Sequence, residues 1–353
     1  MATASRPSPS PSASPGSPPT PERLFQLVWG FGPTQVLASA VTIGLFDAIA
    51  AGRRDAAAIA GACDSSARGV RMLLDALVAL GVLTREGAGA AARHGLAPDT
   101  EAFLVKGRPS YLGDLVRFQA GHGAKHWLRL TECVRSGTPV VALDQPAEGV
   151  PVWHQLVDAL FPLGFAAARQ VGEELARLYP GRPVRLLDVA AGSGVWGIGA
   201  ALANLNVSAT AFDLPETLEH ARAWASRMKV EDRMAFLAGD LRSTDLGSAR
   251  WDAAILGQIC HSEGAENTRR LLAKVARALV PGGTIVIADF LPDPGRSGPP
   301  QPLLFALNML VLTTDGDTWA FPDFQAWLLE AGFRDARLLP SPSPSPLILA
   351  TRT

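Results

Sequence analysis

An apolar run that breaks on an acid and then on small residues, Leu186-Leu187-Asp188-Val189-Ala190-Ala191-Gly192-Ser193-Gly194, has the pattern of a strand feeding a ligand-binding turn. Gly192 and Gly194 let the backbone turn sharply and approach a ligand, and the helix that opens near Val195 aims its free amides at the same place. Twenty-five positions after Asp188 comes Phe212-Asp213-Leu214-Pro215. Asp213, at the end of the next expected strand, is placed to accept hydrogen bonds from ribose hydroxyls. The chemistry is that of a nucleotide pocket.

Two nucleotides fit such a turn. Gly192, Gly194 and Gly197 also spell G-x-G-x-x-G with an acid about 20 residues later, the dinucleotide fingerprint. Three features favour S-adenosylmethionine over NAD. Asp188 lies just inside the turn, where a carboxylate repels a pyrophosphate but suits an ammonium group. Gly239-Asp240 ends the following strand and offers another acid near an adenine. Leu279-Val280-Pro281-Gly282-Gly283 closes a helix ahead of the apolar strand from Thr284 to Phe290.

Methyl transfer from a sulfonium is an in-line displacement, so the protein must mainly hold the nucleophile behind the methyl carbon. A phenol acceptor, with a pKa of about 10, benefits from a general base, and histidine is well matched to that task. The candidate is His261, in Leu256-Gly257-Gln258-Ile259-Cys260-His261, four residues past the fourth expected strand. A loop at a strand's carboxyl end is where such a residue is expected.

These residues need a scaffold. From Val184 onward apolar strands alternate with helices, which implies parallel strands joined by crossover helices. The strands are expected at about 184–189, 207–212, 233–238, 251–257 and 283–290. A helix from Phe321 to Ala331 ends at Gly332, and two closing strands follow, Arg334 to Leu339 and Leu347 to Thr351. The repeat from Pro340 to Pro346 between them reads as a stiff loop. Asp188, Asp213, Asp240 and Gln258 all fall at carboxyl ends of strands, where open sheets of this kind bind ligands.

Upstream, from Pro21 to about Lys106, apolar residues recur at spacings of three and four. A short helix from Ala56 to Ala62, a longer one from Ser65 to Leu80 capped by Ser65 or Ser66, and a wing starting at Gly81-Val82-Leu83-Thr84 make a winged helix by pattern. DNA binding is disfavoured, because Arg68 and Arg71 on the second helix are offset by Asp64 and Asp75 and much of that helix is apolar. Residues 107–180 form a helical connector rich in aromatic and histidine residues, whose helical spacing suits a core more often than a ligand wall.

The composition narrows the classes further. A chain of 353 residues with 48% hydrophobic content can bury a large core. A net charge of −1 with 18% charged residues provides no basic field for nucleic acid or an anionic membrane. Three widely spaced cysteines argue against a disulfide framework and fit a reducing cytoplasm. No metal is implied, since the spacing of His, Cys and acidic residues matches no metal site. Residues 1–21, rich in serine and proline, read as a disordered tail rather than a signal peptide. No run of about 18 apolar residues marks a membrane span.

With these motifs in place, residues 22 to 353 resemble a bacterial member of the small-molecule O-methyltransferase family that includes the plant phenolic and acetylserotonin enzymes. That family's glycine motif usually reads D-x-G-G-G-x-G, and this chain carries Ala190 and Ala191 at the first two glycines. The resemblance implies an α/β fold, a Rossmann-like class I methyltransferase domain on a mostly parallel seven-stranded sheet. It implies four segments: the 1–21 tail, a 22–106 winged-helix dimerisation domain, a 107–180 connector lining the acceptor pocket, and a 181–353 cofactor domain.

By the same resemblance the cofactor S-adenosylmethionine is held by Asp188, Gly192, Gly194, Asp213, Leu214, Asp240, Leu241 and Gln258. Asp240 and Leu241 border the adenine, and Gln258 touches the methionine portion. The acceptor, an aromatic or polyketide-like small molecule, meets Trp127, Phe161 and Phe165 of the connector and Asn308 and Met309 of a helix from Leu303 to Leu312. His261 matches the catalytic histidine, and the protein is expected to be a homodimer.

Two departures stand out. Asp-Trp after the histidine is replaced by Ser262-Glu263, which removes an aromatic shelf, and a carboxylate-bearing Glu-Arg-Thr segment is replaced by Thr318-Trp319-Ala320. Asp289, Asp315 and Asp317 could each supply the carboxylate that orients His261, and none is assigned. This leaves carbon or nitrogen as alternative acceptor atoms, and a winged-helix ligand sensor as a reading from another class.

Overall fold

The computed structural model describes residues 18–353. The expected tail lies outside the described residues as far as residue 17. The described residues divide into two compact units, one ending at Thr100 and the other running from Glu101 to Thr353. Among the described residues no helix is long and apolar enough to cross a membrane.

The first unit runs α1 (Glu22–Val28), α2 (Phe31–Thr42), α3 (Leu45–Ala50), α4 (Ala56–Ala62), α5 (Ala67–Ala79), then the antiparallel wing β1 (Leu83–Glu86) and β2 (Arg93–Leu96). Local chemistry sets the helix starts. Asp55 caps α4 by accepting the Ala58 amide at 2.9 Å, and Ser66, not Ser65, caps α5 by accepting the Gly69 amide at 3.1 Å. The inward stripe of α5 is Val70, Leu74 and Leu77. Its Asp75 pairs with Arg71 at 3.0 Å and with Arg85 of the wing at 3.1 Å, so one carboxylate partly offsets these two cations. In contrast, α1 buries nothing: its Leu24, Phe25, Leu27 and Val28 all stand exposed, Leu27 at 67%, as do Trp29 just after it and Phe31 at the start of α2.

The second unit opens with short helices, α6 (Pro98–Leu104, which begins before the division), α7 (Gly113–Phe118), α8 (Ala124–Trp127) and α9 (Leu130–Ser136), with a π-helical turn over Gln119–Gly123. The long α10 (Pro146–Leu178) then leads into the sheet. Strands and helices alternate as β3 (Val184–Val189), α11 (Val195–Ala203), β4 (Val207–Asp213), α12 (Pro215–Arg227), β5 (Met234–Ala238), β6 (Trp251–Gly257), α13 (Cys260–Ala278) and β7 (Leu279–Ala288). After α14 (Pro300–Leu312) and α15 (Phe321–Glu330), β8 (Phe333–Leu339) and β9 (Leu347–Arg352) close the sheet.

The seven strands lie in the order β5-β4-β3-β6-β7-β9-β8. Those from β5 to β7 are parallel, and β9 pairs antiparallel with both β7 and β8. Strands buried on both faces read as continuous apolar runs, which is why β3 and β6 match their expected bounds. One core lies under α10, α11 and α12, the other under α13 and α15. The chain lays β4 and β5 on one side of β3 and then returns to lay β6 and β7 on the other. This reversal places a topological switch point between β3 and β6, at whose carboxyl ends open α/β sheets bind their ligands.

Candidate active site

The turn after β3 keeps its tight course without the family's full set of glycines. Ala190 and Gly192 adopt φ of +54° and +55°, and Gly194, at +71°, is the N-cap of α11. Asp188 is fully buried beneath it, with Oδ2 accepting the Gly197 amide at 2.8 Å and Oδ1 lacking any partner. Burial pushes its carboxyl up to about 8; the nearby Asp213 adds to the rise and the Gly197 amide opposes it. Gly197, the third glycine of the NAD-like reading, therefore serves the acid of this turn. A Cβ there would press on Ala209, Met234 and Asp188.

Asp213 ties the next strand end to the turn. Its Oδ2 accepts the Gly192 amide at 2.8 Å and its Oδ1 the Leu214 amide at 2.7 Å. Burial raises its carboxyl, and these two amides oppose the rise. Leu214 is the N-cap of α12, which Pro215 opens. Beyond β5, Asp240 Oδ1 gathers the amides of Arg242 (2.7 Å) and Ser243 (3.2 Å), and the Leu241 carbonyl accepts Lys274 Nζ at 2.8 Å while its side chain packs on the core under α13. Gln258, one residue past β6, holds φ +62° and donates from Nε2 to Ser345 Oγ at 2.6 Å. These groups share the carboxyl edge of the sheet.

His261 is 6% exposed and stands in the first turn of α13, not in a loop as the sequence suggested, because α13 starts at Cys260 and kinks at Gly264. The choice of carboxylate, open in the sequence, falls on Asp289. Its Oδ1 lies 2.7 Å from His261 Nδ1, and its Oδ2 accepts the His261 backbone amide at 3.0 Å. Asp317 instead pairs with Arg296 at 2.9 Å, and Asp315 lies exposed beside Gly264. Thr318, at the position of the missing carboxylate, is fully buried and donates to the Pro302 carbonyl. A carboxylate on Nδ1 selects the tautomer with the proton on Nδ1 and leaves the Nε2 lone pair as an acceptor.

The aromatic neighbour lost with Ser262-Glu263 is supplied by other elements. Phe305 of α14 meets the His261 ring edge-on at 4.8 Å, and Phe290 packs on Phe305 at 4.4 Å. Sequence reasoning missed Phe305, although its place one turn before Asn308 was a usable signal. Among the expected acceptor contacts, Trp127 Nε1 donates to Asn308 Oδ1 at 2.8 Å, joining α8 to α14. Met309, next on α14, is 5% exposed. Phe161 differs: it is 2% exposed, with its ring stacked 3.7 Å from that of Trp224, so core packing consumes its surface. Phe165, half-buried, packs against Phe161 at 5.5 Å in the same cluster. Among the described residues no group of three or more His, Cys, Asp or Glu could hold a metal.

A carboxylate with a bare buried oxygen at a glycine turn, a second at the next strand end and a buried histidine–aspartate pair all stand at the carboxyl edge of the sheet, the arrangement of a nucleotide-type ligand site in an open α/β fold. Comparison with known proteins makes this specific. An O-methyltransferase domain family matches residues 168–334, and an O-methyltransferase dimerisation domain family matches residues 25–106. The chain is 32% identical to a 3-hydroxy-5-methyl-1-naphthoate 3-O-methyltransferase of Streptomyces sahachiroi, over 93% of this chain and 95% of that one. It is 30% identical to the tetracenomycin polyketide synthesis 8-O-methyl transferase of Streptomyces glaucescens, over 94% and 97%. The structure of human N-acetylserotonin methyltransferase with S-adenosylmethionine matches at a TM-score of 0.81 and 26% identity, covering 96% of this chain and 99% of that one. The chain belongs to the O-methyltransferase family; it is an S-adenosylmethionine-dependent O-methyltransferase.

Proposed function

We propose that the protein methylates a phenolic hydroxyl of an aromatic, polyketide-like small molecule, with His261 as general base. The observation that carries this reading is the His261–Asp289 pair, buried at the carboxyl end of the sheet with Phe305 against its ring. The naphthoate and tetracenomycin enzymes to which the chain is similar support the acceptor class.

The residues after β3 and β4 suit the cofactor. Asp188 Oδ1, buried and without a partner, would receive the methionine ammonium, whose charge offsets the cost of ionising that carboxyl. Gly192 and Gly194 bring backbone close to the methionine moiety, Asp213 uses its remaining lone pairs for the ribose, and Asp240 and Leu241 flank the adenine. Gln258 borders the methionine portion. When bound, S-adenosylmethionine supplies an electrophilic methyl group on a sulfonium.

The chain supplies position and a proton acceptor. Trp127, Asn308 and Met309 form the acceptor wall with Phe305, and Phe165 borders it. His261 Nε2 takes the hydroxyl proton as the oxygen attacks, and Asp289, on Nδ1, stabilises the imidazolium that forms. We also propose that the apolar face of α1 pairs with a second copy of the chain to make a homodimer. The unpaired Cys63, Cys133 and Cys260 support action in a reducing cytoplasm.

The test uses 3-hydroxy-2-naphthoate as acceptor probe within a panel of phenols, with methyl incorporation read by mass spectrometry. His261→Ala is expected to lower kcat by about 10²- to 10⁴-fold and Asp289→Asn by about 10²-fold, with S-adenosylhomocysteine affinity by calorimetry unchanged in both. Full activity in His261→Ala would sink the assignment of the base.

A further inference from the structure

The Pro340–Pro346 repeat reaches Gln258 at the carboxyl edge of the sheet. It joins β8 to β9, and β9 enters the sheet with Leu347 opposite Ala288, the last residue of β7 before Asp289. Its serines form a ladder: the Ser343 amide donates to Ser341 Oγ at 3.1 Å and the Ser345 amide to Ser343 Oγ at 3.2 Å. The intervening prolines restrict φ, so the ladder has few conformations to lose. One end is held by α10, where Gln170 Nε2 donates to the Pro340 carbonyl at 2.8 Å. At the other end Ser345, 1% exposed, accepts Gln258 Nε2 at 2.6 Å.

Gln258 is under strain. A side chain at φ +62° costs about 1–2 kcal/mol and persists only where its surroundings impose it. One restraint is its backbone, whose amide donates to the Ala288 carbonyl at 2.8 Å. The other is Ser345. Gln258 directly precedes Ile259-Cys260-His261, so its backbone direction sets where α13 begins, and Ala288 directly precedes Asp289. Both halves of the histidine–aspartate pair thus leave the sheet from residues that Gln258 binds together.

We infer that the Pro340–Pro346 segment is a strut, and that Ser345, acting through Gln258, is a positioning residue for the His261–Asp289 pair. Its catalytic meaning rests on the reading of His261 as the base.

Imidazole nitrogen resonances of the full chain labelled with 15N-histidine test the strut without an acceptor. The chain has six histidines, and the His261 signals are assigned by their loss in His261→Ala. In the unsubstituted protein His261 is expected as a single tautomer, protonated on Nδ1. Ser345→Ala is expected to shift these signals toward a mixture of tautomers and leave the other five histidines in place, with the melting temperature falling by less than about 4 °C. Gln258→Leu should move the same signals, and adding Ser345→Ala to it should move them no further. Pro342→Gly with Pro344→Gly, which loosens the strut but keeps Ser345, should give a smaller shift in the same direction and covers the case in which Ser345→Ala does not fold. Unmoved His261 signals in these variants, or additive shifts in the double variant, would overturn the strut even if His261→Ala abolishes methyl transfer. Methyl transfer undiminished in His261→Ala would remove the base and with it the strut's part in catalysis.

Discussion

Ala190 and Asp188 both keep the glycine turn under strain, for different physical reasons. Ala190 stands at φ +54°, where a Cβ crowds the following carbonyl oxygen, and the family's motif has glycine at this position. Ala190→Gly is expected to stabilise the fold by about 1 kcal/mol after the added entropy of the unfolded chain is deducted, measured by denaturant unfolding. Asp188 retains its proton in the folded chain up to a pH of about 8, whereas the unfolded chain releases it near 3.8. Between those values the folded state binds more protons, so this group costs stability progressively as pH rises and the cost levels off above about 8. Asp188→Asn should flatten that loss in melting curves taken from pH 4 to 9. In the unsubstituted protein, S-adenosylhomocysteine binding at pH 7 should release a proton, read as buffer-dependent binding enthalpy. Buffer-independent enthalpy would place the ligand's ammonium elsewhere.

At the scale of elements, the proposed acceptor wall depends on α14 being held in place. Trp127 on α8 reaches it through one hydrogen bond to Asn308, and one turn earlier on α14 Phe305 meets the histidine ring. Trp127→Phe deletes the donor and leaves Asn308 without this partner, at a cost of about 1 kcal/mol. We expect the KM for the acceptor to rise about 5-fold while cofactor affinity stays constant, since the glycine turn lies on separate elements. Steady-state kinetics with the acceptor varied at saturating S-adenosylmethionine decides this, and an equal loss for both substrates would show that α8 supports the whole fold. Strands β3 and β6 could be read to the residue because they are continuous apolar runs. The start of β7 could not, because Leu279–Gly283 looks like a helix stop and nothing local shows that Leu279 pairs with Trp251.

The whole molecule adds the question of assembly. The apolar residues of α1 are nearly consecutive and none is buried in its own unit, and a contiguous exposed apolar patch of this kind marks a surface that a partner covers. Leu27→Glu combined with Phe31→Glu should weaken self-association by at least about 10-fold, seen as a monomer mass in light scattering at micromolar concentration. A dimer mass unchanged by these substitutions would move the interface to another face.

The sequence by itself determined the class of the fold and the strand ends that carry Asp188, Asp213 and Asp240, and it singled out His261 as the candidate base. These are local signals: buried parallel strands are apolar throughout, and a glycine turn marks its own place in the chain. The tertiary structure alone decided which carboxylate holds His261, that Phe305 stands where the shelf was lost, that Phe161 belongs to the core, and that the Pro/Ser repeat touches Gln258. Each of these joins residues far apart in the chain, 28 positions for His261 and Asp289 and 87 for Gln258 and Ser345. Such pairs form only where strand order and register bring separate segments to the same edge, and neither periodicity nor spacing encodes that meeting.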